Sequence, residues 1–220
     1  MIDKITLKGV LPRVFAGSES EPAIASSEIW LRDSVTFERP GAYLIEAESG
    51  TGKSSLCSFI YGQRTDYRGE ILFDSTPASS ISIERWCELR RSALAYLPQE
   101  MLLFPELTVM ENILIKNRLT DYASEAQIRS MLQQLEIDNK ADSLASQLSV
   151  GQQQRVAIIR ALCQPFDFLL VDEPVSHLDA RNNETVARLM TGEAAVRNAS
   201  IIATSVGNKL ALADYTLLRL

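Results

Sequence analysis

Histidine is nearly absent: the chain of 220 residues holds one, His177, so a histidine-based metal centre has no ligands to draw on. Cysteine is scarce as well. Cys57, Cys87 and Cys163 stand far apart without paired spacing, which suits reduced thiols rather than a disulfide framework. No apolar run approaches the roughly 18 residues that would cross a bilayer. The start, Met1 to Leu7, lacks a basic segment followed by an apolar one, so no secretory signal is expected and the cytosol is the expected compartment. Basic residues are outnumbered, 22 Lys and Arg against 28 Asp and Glu, giving a net charge of -6. That balance argues against nucleic acid as a partner.

What is present describes one globular catalytic unit. Apolar residues make up 46% and charged residues 23% of the chain, and the length suits a single core or a core with a small lobe. Short β-rich runs alternate with helical patterns: Tyr43 to Ala47, a helix from Lys53, Glu70 to Phe73, a helix near Ile81 to Arg91, and Ala93 to Leu97. Phe168 to Val171 and Ser200 to Thr204 are continuously apolar, as expected of strands buried on both faces of a parallel sheet. Glu19 to Ser27, with Pro22, reads as a loop between early β-like stretches. The stretch after Leu97 reads as wholly helical, with capping boxes at Thr108–Glu111 and Ser124–Gln127. The expected fold is α/β: a parallel-sheet core, an N-terminal antiparallel β portion and a helical insertion at about 101–147, all within one domain spanning 1–220.

Glu48-Ser49-Gly50-Thr51-Gly52-Lys53-Ser54-Ser55 follows the first of these apolar strands and runs directly into a helix. A glycine-rich turn at a helix N-terminus can aim successive amide N–H groups at phosphate, with Lys53 reaching the β- and γ-phosphates and Ser54 holding Mg²⁺. Ala47 stands where the usual pattern has its first glycine, which an extended conformation permits. Downstream, Asp172 and Glu173 close the strand Phe168 to Val171 at its carboxyl end, where ligands bind in open α/β sheets. In an enzyme of this kind Asp172 supports Mg²⁺, while Glu173 orients and deprotonates the attacking water. The bland reading, an acidic pair capping a buried strand before Pro174, stays open on these residues alone.

Leu148-Ser149-Val150-Gly151-Gln152-Gln153-Gln154-Arg155 precedes a helix through Val156, Ile158, Ile159 and Leu162. Ser149 is a natural N-cap, and the donors at that helix start can meet a γ-phosphate. With this string the sequence resembles the ATP-binding cassette family, whose signature reads Leu-Ser-Gly-Gly-Gln followed by Gln-Gln-Arg. The resemblance covers nearly the whole chain in order: Gly50 to Ser55 as phosphate loop, Gln99 as Q-loop, Leu148 to Gln152 as signature, Leu170 to Glu173 as Walker B, and Ser176 to Asp179 as D-loop. It implies a head-to-tail dimer of two copies holding two ATP molecules, each between the phosphate loop of one copy and Ser149, Gly151 and Gln152 of the other. It also implies that Gln99 reaches both metal and attacking water, that Asp179 belongs to the nucleotide contacts, and that Phe15 stacks on adenine.

Two departures stand out. Val150 replaces the first signature glycine while keeping its amide. The family's switch histidine is replaced by Ser205, which is therefore assigned to the catalytic set beside Glu173 and Gln99 with slow hydrolysis expected. His177 lies instead in the D-loop segment. A small-molecule kinase would leave Leu148 to Arg155 without a role, and cassettes of DNA repair or translation are larger. The expected function is the ATPase subunit of a transporter, driving an integral membrane permease subunit on another chain from the inner face of the cell membrane. The alternative is a low-activity, regulatory ATPase acting as a mechanotransmitter. Gln99 to Asn112 is similar to cassettes of the lipoprotein-release, macrolide-export and cell-division group, where this surface receives a helix of the membrane subunit, and Leu102, Leu103 and Phe104 are the expected docking residues.

Overall fold

In the computed structural model, which describes residues 1–220, two sheets separate the strands by their surroundings. The first is antiparallel and four-stranded, built from β1 (Lys4–Pro12), β2 (Val35–Glu38), β4 (Tyr67–Phe73) and β5 (Thr76–Pro77) in the order β2-β1-β4-β5. The second takes β3 (Gly41–Glu46), β6 (Leu94–Leu97), β7 (Phe168–Asp172), β8 (Ser200–Ser205) and β9 (Thr216–Arg219) in the order β6-β7-β8-β3-β9. Its pairings are all parallel. Every residue of β7 and β8 is buried, which is why these segments read as unbroken apolar runs: helices cover both faces of the sheet.

The helices are α1 (Pro22–Ala25), α2 (Lys53–Ile60), α3 (Ile83–Ser92), α4 (Val109–Asn117), α5 (Glu125–Gln134), α6 (Val150–Leu162) and α7 (Ala180–Arg197). Ile113 of α4 and Ile128 and Leu132 of α5 share one apolar cluster with Leu97, Leu169 and Val171 of the parallel sheet. The inserted helices are thus packed onto the core through α6 rather than held apart. A second cluster joins Ile5, Phe37 and Ile71 of the antiparallel sheet to Leu56 and Phe59 of α2 and Ile202 of β8. The phosphate-loop helix is the wedge between the two sheets.

Both expected capping boxes are present, Thr108 with Glu111 and Ser124 with Gln127. Two expectations need correction. Glu19 to Ser27 is not all loop: it holds the single turn α1, where Pro22 occupies the first helical position, its missing N–H costing nothing, and the Ser26 hydroxyl donates to the Pro22 carbonyl at 2.6 Å. Nor is 101–147 wholly helical. Residues 101–107 form an irregular loop, with Met101 and Leu102 both at positive φ (59° and 50°), and turns of 3₁₀ helix follow α5.

Candidate nucleotide site

Strand order brings the chemistry together. β8 lies between β7 and β3, with Asp172 opposite Thr204 and Ser205 opposite Glu46, so the carboxyl ends of three neighbouring strands deliver the acidic pair, Ser205 and the phosphate loop to one edge.

Within the loop, Gly50 and Gly52 sit at φ 86° and 101°, conformations that residues with a Cβ rarely adopt. Ala47 has no such demand and continues the strand, its N–H donating to the Ser205 carbonyl. The Thr51 hydroxyl and the Lys53 ammonium both donate to the Glu48 carbonyl, at 2.8 and 2.9 Å, which closes the loop on itself. Lys53 is buried at the start of α2, whereas Glu48, Ser49, Gly50 and Ser54 are exposed and Ser55 is half-buried. Phe15 lies against this loop: a Cβ on Gly52 would be 3.2 Å from its ring and 3.1 Å from the ring of Trp30. Trp30 is fully buried, and its indole N–H donates to the Thr51 carbonyl at 3.0 Å. The loop therefore rests on an aromatic floor of Phe15 and Trp30, of which the sequence alone points to Phe15.

Asp172 is buried, 1% exposed, and accepts a 2.5 Å hydrogen bond from the Thr204 hydroxyl. That hydroxyl also accepts from the Glu173 N–H at 3.2 Å. Glu173 holds φ at 50°, an uncommon state for a non-glycine residue that needs surrounding bonds to hold it. They are supplied by Thr204 on one side and by Gln154 of α6 on the other, whose amide donates to the Glu173 carbonyl at 3.2 Å and to the Ser176 hydroxyl at 3.4 Å while accepting from the His177 N–H. The Glu173 carboxylate stands 3.8 Å from the Lys53 ammonium.

Mg²⁺ takes oxygen ligands and usually keeps several waters, binding through one or two carboxylates and substrate phosphates. The donors at this edge fit that chemistry: the exposed Ser54 hydroxyl, the hydrogen-bonded Asp172 carboxylate and the exposed Gln99 amide. No group of three or more His, Cys, Asp or Glu forms an all-protein cage.

The signature lies apart from this cluster. Ser149 caps α6 in a reciprocal box with Gln152, accepting from its N–H at 3.3 Å while the Gln152 side chain accepts from the Ser149 N–H at 2.9 Å. Both Ser149 and Val150 are exposed. No hydrogen bond or ion pair joins Ser149, Gly151 or Gln152 to the phosphate loop of the same chain. Gly151 has a local reason to be glycine: a Cβ there would meet the His177 carbonyl at 3.1 Å. Asp179 caps α7, accepting from the Asn182 N–H at 2.8 Å, and those bonds hold its carboxyl below the usual range.

Ser205 ends β8, opposite Glu46. It is 2% exposed, and its hydroxyl donates its one proton to the Asn208 carbonyl at 2.9 Å. The Asn208 side chain in turn donates to the Val175 and Leu178 carbonyls, so the segment after β8 is tied to the D-loop by an amide. His177 is exposed and pairs with the neighbouring Ser176 hydroxyl at 3.0 Å. At Gln99 the loop turns into the two left-handed residues, whose carbonyls accept from Arg160 of α6, at 2.8 Å for Leu102. Of the expected docking residues, Leu102 and Phe104 are exposed, 61% and 50%, while Leu103 packs against the core.

A family model described as ABC transporter matches residues 32–176. The fold is similar to that of the bacterial ABC transporter cassette MJ0796 in its dimeric structure, at 24% identity and a TM-score of 0.73 over 91% of this chain and 87% of that one. It is also similar to a dimeric post-hydrolysis state of MJ0796 bound to ADP and Pi, at 23% identity and a TM-score of 0.71 over the same shares. A bacterial Atm1-family ABC exporter with ATP bound matches at 23% identity and a TM-score of 0.72, over 93% of this chain but 35% of its own.

Proposed function

The chain belongs to the ABC transporter family, as an ATP-binding cassette ATPase, and from that premise we propose that two copies close head-to-tail on two Mg-ATP to drive an integral membrane permease subunit carried on another chain. One observation carries the dimer. Ser149 and Val150 are exposed at a capped helix start that makes no bond to the phosphate loop of its own chain. An anion site of that kind is completed by a phosphate presented from another copy.

In the closed site the amides of Ser49 to Ser55 cradle the phosphates, with Lys53 released from Glu48 and Glu173 to meet the β- and γ-oxygens. Ser54, Gln99 and Asp172 would hold Mg²⁺, which would supply charge neutralisation to the phosphates. Phe15 offers a ring face to adenine. Glu173, freed of its contact with Lys53, orients the attacking water and accepts its proton, and Gln99 positions that water. The Ser149, Gly151 and Gln152 segment of the opposite copy adds donors at the γ-phosphate, with Asp179 setting the D-loop beside them. Turnover is slow, because the Ser205 hydroxyl is committed to Asn208 and offers no donor to the developing charge; one such missing donor lowers turnover by roughly a hundred- to a thousandfold. That same observation favours the second reading, a low-activity ATPase that transmits force rather than moves a solute. No helix is long and apolar enough to cross a membrane, and the place of action proposed is the cytoplasmic face of the membrane, through the partner.

Glu173→Gln tests the arrangement. It removes the proton acceptor while retaining a hydrogen-bonding side chain, so the variant in saturating Mg-ATP should elute as a dimer by light scattering, and as a monomer without nucleotide. A variant that binds Mg-ATP tightly yet stays monomeric, alone and with its membrane subunit, overturns the sandwich.

A further inference from the structure

One side chain of the phosphate-loop helix is held by a residue that belongs to no motif. Ser55 and Phe59 share a face of α2, one turn apart. The chain leaving the helix folds back along that face, with the Gln63 and Arg64 N–H groups both donating to the Ser58 carbonyl. The Arg64 guanidinium then lies 5.3 Å from the centre of the Phe59 ring and donates to the Ser55 hydroxyl at 2.9 Å.

Two further donors fix the direction of that guanidinium. Nε and Nη2 of Arg64 bond to the two carboxylate oxygens of Asp66 at 2.9 and 2.5 Å, a planar two-point pairing that lysine cannot make. Hydrogen bonding from Arg64 holds the Asp66 carboxyl below its ordinary range. The Asp66 carbonyl meanwhile accepts from the Arg13 N–H at 2.9 Å, at the start of the turn Arg13–Phe15. Asp66 thus ties the Phe15 segment, on the base side of the site, to Ser55 on its phosphate side. A hydroxyl has one proton and two lone pairs. Ser55 accepts from Arg64 and donates to no group of its own chain, so its proton is left for an incoming acceptor, and the charge-assisted bond it accepts makes it a stronger donor.

We propose that Arg64 is a positioning residue for the α-phosphate of ATP: clamped by Asp66, it turns the Ser55 hydroxyl so that its proton meets one of the two non-bridging α-oxygens. The inference rests on the ATP site proposed above and adds the side chains that set its α-phosphate. Lys53 and Ser54 serve the β- and γ-phosphates with their metal and Phe15 serves the base, so the phosphate that joins the two ends is the α-phosphate. Ser55, tied through Arg64 and Asp66 to the Phe15 segment, is the hydroxyl on that side. Because Asp66 balances the charge of Arg64, the pair contributes direction rather than net attraction. Its mark is therefore a preference between the two α-oxygens, not a large gain in affinity.

The test uses the full chain and the two diastereomers of ATP that carry sulfur in place of one or the other non-bridging α-oxygen. Sulfur is the weaker acceptor. With Mg²⁺ present, the wild-type chain should bind one isomer about tenfold more tightly than the other. Arg64→Gln should narrow that preference to about threefold or less, and Ser55→Ala should do the same, with no further change in the double variant. A general loosening of the site would weaken both isomers alike and leave their ratio in place. Arg64→Lys, which keeps the charge but not the planar fork, should follow Arg64→Gln. Asp66→Asn, which frees the same guanidinium, repeats the measurement should Arg64→Gln not fold. In steady state the KM for ATP should rise more than kcat falls, since the reacting atoms lie at the γ-phosphate. A wild-type chain that binds both isomers equally, a ratio untouched by Arg64→Gln and Asp66→Asn, or losses from Ser55→Ala and Arg64→Gln that add, overturns the positioning role and leaves the ATP site standing. Failure of the wild-type chain to bind ATP at all overturns the site itself, and the inference with it.

Discussion

Single residues divide by how far away their partners lie. Lys53, Asp172, Glu173 and Ser149 are legible because each sits in a short string whose neighbours carry its chemistry. Trp30, Gln154 and Arg160 are not, because their partners lie 21, 19 and 59 positions away and only folding brings them together. Gln154 is the most consequential of these, since it holds both the Glu173 carbonyl and the His177 N–H. Gln154→Leu should lower kcat by about tenfold to a hundredfold through misplacement of the carboxylate, with ATP affinity unchanged. Equal losses in kcat and in nucleotide binding would make Gln154 a part of the general packing instead. The Ser205 hydroxyl donates its proton to the Asn208 carbonyl. Ser205→Ala should cost about 1 kcal/mol of stability for the lost hydrogen bond and leave turnover nearly unchanged. His177→Ala should be equally mild in steady-state assays, and a near-total loss there would move catalysis into the D-loop.

At the scale of elements, capping was readable and loop conformation was not. A capping box is a contact between residues three apart, so Thr108–Glu111 and Ser124–Gln127 announce helix starts without knowledge of the fold. The path of residues 101–107 depends instead on Arg160 arriving from α6, and an apolar string there looks like a helix until that clamp is known. Thr108→Ala should destabilise the chain by about 1 kcal/mol while leaving ATP affinity intact, by thermal melting and nucleotide titration. The same box has an acid dependence of definite sign. Hydrogen bonds from the Thr108 backbone N–H and then its hydroxyl hold the Glu111 carboxyl below its ordinary value. Its stabilisation is therefore complete above the unfolded carboxyl value and disappears as pH falls through the lowered folded one. Glu111→Gln should flatten that part of the stability profile. A profile of unchanged slope would mean that other carboxylates dominate it.

For the whole molecule, the alternation of strand and helix and the order of motifs specify the two-sheet architecture, because buried parallel strands cannot hide their composition. The proposed exchange of contacts between copies rests on an exposed, capped signature helix that makes no bond to its own phosphate loop. Thiol chemistry offers a check on the assembled chain. Cys57 and Cys163 are buried and Cys87 is exposed, and burial first, with the Asp172 charge second, pushes the Cys57 thiol well above its ordinary range. The native chain should present one fast-reacting thiol to an aromatic disulfide reagent, and unfolding should release two more; two or three fast thiols would show an open core. The two tryptophans have a consequence of another kind. Trp30 is hydrogen-bonded beneath the phosphate loop, and Trp86 stands edge-on to Phe73 under the Arg90 guanidinium. The protein thus carries two built-in optical probes, one at the phosphate loop and one away from it. With Trp86→Phe the remaining emission reports nucleotide arrival, with Trp30→Phe it reports the side of the fold around Arg90, and the delay between the two signals is a direct clock on how a change at one is passed to the other.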